Sequence, residues 1–176
     1  MIIEGKDQII NELERIVTTE LTMPCAFVHA NLTEANYGLD ALDSVSFPVF
    51  VFVAQGKNRS RINIAGNIIR RVELFGMLLN SKGEQATVDY KSSEVNETIF
   101  QMYQLGQNLM YQLNKSELSR SSDDGDACGV TEWQSDEIYG KFDAHLFGHG
   151  ITFTWTVNTG VNGYHQKFGD TRPIQN

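Results

Sequence analysis

The segment FPVFVFVA at positions 47–54 limits the possible folds more than any other part of the sequence. Its aromatic and β-branched side chains follow one another without a polar interruption, which is typical of a strand that is covered on both faces. Such a strand needs neighbouring strands at its sides and packed layers above and below it. The sequence therefore predicts a central strand of a sheet.

Two amphipathic helices are predicted, one before this strand and one after it. Apolar residues recur at spacings of three and four over residues 7–21, and Asp7 is suited to cap the first turn. The same stripe runs over residues 93–113, a length of roughly 30 Å at the helical rise per residue. Ser92 is the predicted N-cap of this second helix, and Gly106 within its stripe predicts a close approach of another backbone.

Further strands complete the predicted fold. Residues 25–32 predict a short strand, and residues 68–79 predict a long strand antiparallel to the central one. Residues 55–67 combine turn residues with basic side chains, which indicates a polar, mobile loop. Apolar residues alternate with threonines over residues 151–157, the period of a half-buried strand, and residues 130–139 are its expected partner. This order predicts an α+β fold, an antiparallel or mixed β-sheet with an N-terminal helix and one long helix packed on it.

The chain is expected to form a single domain over residues 1–176, because this length and a 41% hydrophobic composition suit one core. Three segments within it lack a sustained apolar period and are predicted to be irregular. They are a long loop at 33–46, a flexible, exposed acidic loop at 116–127 and a tail at 160–176.

The bulk composition bears on compartment and partners. Cys25 and Cys128 belong to no metal or redox motif, so reduced thiols in an intracellular setting are the simplest interpretation, with a long-range disulfide as the alternative. The N-terminus lacks the apolar stretch of a secretory signal, and no segment has the roughly 20 apolar residues of a spanning helix, so no membrane partner is expected. A net charge of −8 disfavours tight polyanion binding as the main function.

The sequence has few residues at the spacings that catalytic or metal-binding motifs need. His145 and His149 lie four positions apart, but the glycines around them lead into a strand, where this spacing does not bring two imidazoles to one metal ion. No nucleophile elbow or phosphate-binding loop is present, so no cofactor, metal site or catalytic residue is predicted. The alternative is an enzyme with a nonstandard site around Asp143, His145 and His149.

Charge is distributed unevenly along the chain. A basic set precedes Glu73, and an acidic set follows the long helix, where Arg120 is the single base between positions 117 and 137. The basic set is Lys57, Arg59, Arg61, Arg70 and Arg71, and the acidic set is Asp123, Asp124, Asp126, Asp136 and Glu137. Three interpretations remain open: solvated loops that never meet, complementary surfaces that join copies head to tail in a ring, or a basic loop against DNA phosphates.

Several segments together resemble a known family. They are FPVFVFVA, DYKSSEVNETIFQMYQLGQNLMYQLNKSE and FDAHLFGHGITFTWTV, and the helix in the middle carries Met102, Leu105, Leu113 and Asn114 at the spacing found in that family. Over residues 45–157 the sequence is similar to the tail-terminator and head-to-tail connector (neck) proteins of tailed bacteriophages.

The resemblance implies a structural virion protein that is made in the host cytoplasm and has no catalytic residues. Copies would form a ring of six or twelve subunits beside other neck, portal or tail-tube proteins, and DNA would pass through the lumen without sequence-specific binding. Residues 55–67 would line the lumen or hold a neighbour, as a subunit-interface or lumen loop. The alternative is a non-enzymatic protein-binding module or another tail-assembly protein.

Overall fold

The computed structural model describes residues 7–30, 46–81, 93–121, 125–140 and 146–159. The helices in these ranges are α1 (Gln8–Thr19) and α2 (Ser93–Lys115), with a 3-10 turn at Glu117–Ser119. The strands are β1 (Ala26–His29), β2 (Val49–Ile62), β3 (Ile68–Ser81), β4 (Gly129–Gly140) and β5 (Leu146–Asn158). The predicted loop at 33–46, apart from Ser46, and the predicted tail at 160–176 lie outside the described residues.

The strands form one mixed sheet in the order β1-β2-β3-β5-β4. β1 runs parallel to β2, and the β2/β3, β3/β5 and β5/β4 pairs are antiparallel. With the N-terminal helix and the long helix packed on this sheet, the predicted α+β fold is confirmed. β2 starts with four fully buried residues and lies between β1 and β3 there, in agreement with the prediction from FPVFVFVA.

Both helices lie on the same face of the sheet. Asp7 caps α1 as predicted, since its carboxylate accepts a 2.8 Å hydrogen bond from the backbone N–H of Ile9. A Cβ atom at Gly106 of α2 would lie 3.1 Å from Cδ1 of Ile151 on β5, so the close neighbour of this glycine is a side chain and not the predicted backbone. The predicted N-cap of α2, Ser92, lies outside the described residues. The core on this face includes Leu13, Phe50, Leu74, Met102, Phe153 and Trp155.

The opposite face of the sheet, which we name the outer face, is divided into an apolar and a polar half. A second cluster of buried side chains occupies the half where β1 lies. The other half carries charged residues and threonines of β2, β3, β4 and β5. The cluster consists of Ala30, Val49, Val51, Met77, Leu79 and Leu146.

The prediction of a mobile loop at 55–67 was wrong. β2 continues to Ile62, and Arg59 pairs with Arg71 in the β2/β3 ladder. A short turn follows, in which Asn63 donates to the carbonyl of Asn67 at 3.0 Å and Gly66 adopts a φ of 82°. Polar and basic residues form a strand here because β3 supplies the backbone partners, while their side chains remain in solvent.

The acidic loop predicted at 116–127 is not exposed at its start. Ser116, Leu118 and Ser119 are buried. Ser116 donates a 2.6 Å hydrogen bond to Glu12 of α1, which ties this turn to a distant helix. Polar residues can be buried here because each finds such a partner.

Candidate functional site

The described part of the sheet has an open backbone edge on each side. β1 pairs only with the first four residues of β2, so residues 53–62 have β3 on one side and no described strand on the other. β4 is the last of the described strands in the order, and among them it pairs with β5 alone. Open edges present backbone N–H and C=O groups that can pair with another strand. We name residues 53–62 the basic edge and β4 the acidic edge.

The two edges carry charges of opposite sign. The basic edge holds Lys57, Arg59 and Arg61 and no acidic residue. The acidic edge holds Glu132, Asp136 and Glu137 and no basic residue. Because β3 and β5 lie between them, the two edges are about 14 Å apart at the usual strand spacing. One copy of the chain therefore presents complementary surfaces on opposite sides.

Three of the five predicted basic residues line one depression on the outer face. Lys57, Arg59 and Arg71 line an open depression of about 240 Å³ together with Glu73 and Thr154. Arg59 and Arg71 are direct cross-strand neighbours, an arrangement in which like charges repel. Such a surface favours a partner that brings negative charge.

Arg61 already has an acidic partner inside the chain. It forms an ion pair with Asp126, which also accepts a 3.1 Å hydrogen bond from the side chain of Asn63. The hypothesis that the basic and acidic sets never meet is therefore wrong for this pair. The Arg61 side chain remains 62% exposed, whereas that of Asp126 is 12% exposed.

Arg70 belongs to a different surface from the other four basic residues. Its guanidinium lies on the helix side of the sheet and contacts both carboxylate oxygens of Asp7, at 3.2 and 3.0 Å. Strand alternation explains the separation, because successive side chains of β3 point to opposite faces. Arg70 and Arg71, which the sequence analysis placed in one candidate interface, therefore lie on opposite faces of the sheet.

The predicted acidic set is also divided. Asp136 and Glu137 lie on β4, whereas Asp123 and Asp124 lie outside the described residues. Alternation places Asp136 on the outer face with Glu132, and Glu137 on the helix side. Glu132 lies in the acidic stretch of the sequence, but its role at a sheet edge depends on the strand order, which the local pattern does not contain.

A groove of about 550 Å³ lies between α2 and the end of the sheet formed by β4 and β5. Its lining includes Phe100 and Tyr139, 57% and 39% exposed, together with Tyr103 and Glu137. His149 also lines it and is buried, and its Nδ1 atom has no hydrogen-bond partner among the residues that the structure describes. Burial lowers the pKa of His149, which keeps the imidazole neutral at pH 7.

Only part of the alternative enzyme site lies within the described residues. Asp143 and His145 lie outside the described residues, so their relation to His149 stays a prediction. Across the described ranges, no group of three or more His, Cys, Asp or Glu side chains could hold a metal ion. Both cysteines are free thiols, and burial raises the pKa of Cys25 to about 12.

No helix within the described ranges is both long and apolar enough to span a membrane. Comparison of the sequence with protein-family models and with curated proteins gives no match.

Proposed function

We propose that the chain is a non-enzymatic structural subunit that joins copies of itself head to tail into a ring at the neck or tail end of a bacteriophage. The observation that carries this proposal is the opposite charge on the two open edges of one sheet. Complementary potentials steer association and suppress contacts between like edges.

A contact between unlike edges gives an open-ended series of subunits. When the basic edge of one copy meets the acidic edge of the next, each end of the assembly keeps one unused edge. Such a contact generates a ring if the rotation between copies closes, and a filament if it does not. A ring of six or twelve copies is the outcome that the sequence resemblance implies.

The place of the ring in a virion rests on the resemblance of residues 45–157 to neck and tail-terminator proteins. Two exposed isoleucines at the turn between β2 and β3, Ile62 and Ile64, offer an apolar contact to a neighbouring portal or tail-tube protein. The net charge of −8 suits a lumen through which DNA slides, because a polyanion is repelled.

The test is the native mass of the purified protein over a range of concentration and salt, by light scattering, with negative-stain imaging of the assemblies. We expect rings at low salt whose population falls as salt screens the charged edges. A monomer at every concentration and every salt would contradict the proposal.

A second function is favoured by the groove beside His149. Exposed aromatic side chains such as Phe100 and Tyr139 are common in surfaces that hold a peptide. A binding module would give a one-to-one complex with another protein and no ring. Substituting Phe100→Ala would then abolish that complex and leave the mass of the free protein unchanged.

A further inference from the structure

We infer that neighbouring copies join by strand addition, in a single register that sets Lys57 opposite Asp136, Arg59 opposite Gln134 and Arg61 opposite Glu132. This inference rests on the proposed assembly and specifies the interface that forms it. It makes the sheet continuous from one copy to the next.

The direction of the added strand follows from the topology. β2, β3, β5 and β4 lie side by side and each is antiparallel to the next, so β4 runs opposite to β2. Placing the acidic edge of one copy beside the basic edge of another, with both outer faces on the same side, creates an antiparallel pair. The alternation of directions then continues across the boundary.

The spacing of the charges selects the register. In an antiparallel pair, residue numbers rise along one strand as they fall along the other. Lys57 and Arg61 are four residues apart, and so are Glu132 and Asp136. When Lys57 faces Asp136, Arg61 therefore faces Glu132. Lys57 and Glu132 lie on the outer face, where they line depressions that share Glu73 and Thr154. Strand alternation places Arg61 and Asp136 on the same face. Opposite charges at directly facing positions stabilise a strand pair.

The length of the free edge fits the same register. It sets Gly140, the last residue of β4, opposite Val53. Val53 is the first residue of β2 beyond the part paired with β1, which ends at Phe52. The added strand therefore ends beside Ala30, the residue after β1, whose backbone N–H donates to the carbonyl of Phe52.

The ion pair of Arg61 with Asp126 is compatible with this arrangement. A guanidinium has five N–H donors, and 62% of the Arg61 side chain is exposed, so it can contact Asp126 in its own chain and Glu132 of a neighbour. The basic edge also contains two irregularities in its ladder with β3, between Phe52 and Ala54 and between Gln55 and Asn58, and the acidic edge contains one, between Val130 and Glu132. Such bulges limit indiscriminate strand pairing, which leaves the charge-matched edge as the favoured partner.

Disulfide trapping tests the register in the full chain, with Cys128→Ser to remove the thiol that is only partly buried. Copies with Arg59→Cys are mixed with copies with Gln134→Cys and oxidised. Directly opposite Cβ atoms lie about 4.5–5.5 Å apart, within reach of a disulfide after small adjustments, whereas diagonal positions are about 7–8 Å apart. We expect covalent dimers in this mixture, none with either variant alone, and none when Arg59→Cys is mixed with the displaced Asp136→Cys.

Charge reversal provides a second readout. Lys57→Glu should weaken assembly about tenfold, and adding Asp136→Lys in the same chain should restore it. Lys115→Glu is the matched control, because Lys115 is an exposed base at the end of α2, away from both edges, and its reversal should leave assembly nearly unchanged.

The outcomes separate the inference from the proposed function. If rings form but Arg59→Cys is crosslinked to Asp136→Cys, or is never crosslinked to Gln134→Cys, the proposed register is wrong. The proposed ring is not affected by that result. A protein that is monomeric at every concentration and salt would overturn the proposed function itself. Equal weakening by Lys57→Glu and Lys115→Glu would overturn the edge as the site of contact.

Discussion

The indole Nε1 of Trp155 donates a 2.8 Å hydrogen bond to the Oγ of Ser119, and that hydroxyl donates to the backbone carbonyl of Leu113. All three residues are buried. The hydroxyl thus connects β5, the 3-10 turn and the end of α2 through one atom. Trp155 can lie within the core because its only polar group has this partner.

Substituting Ser119→Ala should destabilise the fold by about 1–3 kcal/mol, because the indole N–H and the Leu113 carbonyl would both be left buried without that partner. The midpoint of urea unfolding measures the loss. Ser121→Ala is the matched control, since Ser121 is exposed, and it should shift the midpoint little. Equal shifts for the two variants would show that the hydroxyl contributes no specific contact.

The sequence was informative where one pattern determines one element. The alternation at 151–157 and the stripe at 93–113 predicted β5 and α2, because each period is local. Burial of Ser119 could not be predicted, since its partner Trp155 is 36 residues away. Residues 55–62 were predicted to belong to a loop because their side chains are mostly polar. They form a strand because their backbone pairs with β3, and the local sequence does not show that pairing.

The sequence predicted which charged residues form the candidate site but not how they are arranged in space. The basic and acidic sets are visible in the sequence, but Arg70 and Arg71 separate onto two faces once they lie on a strand. Arg61 and Asp126 meet although they are 65 positions apart. The two charged segments form opposite edges because β5 lies between β3 and β4. This strand order is a property of the whole sheet and not of either segment.

Asp7 combines two stabilising contacts that substitution can separate. It caps α1 through Ile9 and pairs with Arg70 of β3. Asp7→Asn keeps a capping oxygen and loses the charge, whereas Asp7→Ala loses both, so we expect Ala to lower the free energy of unfolding by about 1 kcal/mol more than Asn. Thermal or urea unfolding of the two variants measures this difference. Indistinguishable losses would mean that the cap contributes nothing beyond the ion pair.

The ring of Phe50 packs so closely against Gly76 of β3 that this position has no room for a side chain. A Cβ atom at this position would lie 2.4 Å from the ring, far inside van der Waals contact. Gly76→Ala should therefore destabilise the fold by about 1–3 kcal/mol, because a fully buried ring must move.

Gly150 on the neighbouring strand β5 is the control for Gly76. A Cβ atom there meets its nearest atom, Cδ1 of Ile138, at an ordinary 3.6 Å. Gly150→Ala should leave stability nearly unchanged in the same unfolding experiment. If both alanines destabilise equally, the cause is the loss of glycine from the sheet and not the packing of Phe50.

His149 should make the folded state sensitive to mild acid. Burial lowers its pKa below the ordinary 6.5, opposed by the carboxylates of Glu137 and Asp136 on β4 and by a hydrogen bond to the backbone of Ile99 on α2. As pH falls through 6.5, the unfolded chain takes up this proton before the folded chain does, so stability is full above that pH and is lost below it.

The free energy of unfolding, measured from about pH 8 to pH 5, reports this loss. His149→Gln removes the titrating group, so we expect its stability to fall less over that range than that of the unmodified chain. His29→Gln is the control for the substitution itself, because it replaces an exposed histidine on the short strand β1 by the same residue. If the His149→Gln variant loses stability as steeply as the unmodified chain, the acid sensitivity comes from other groups, and burial of the imidazole beside the groove does not govern it.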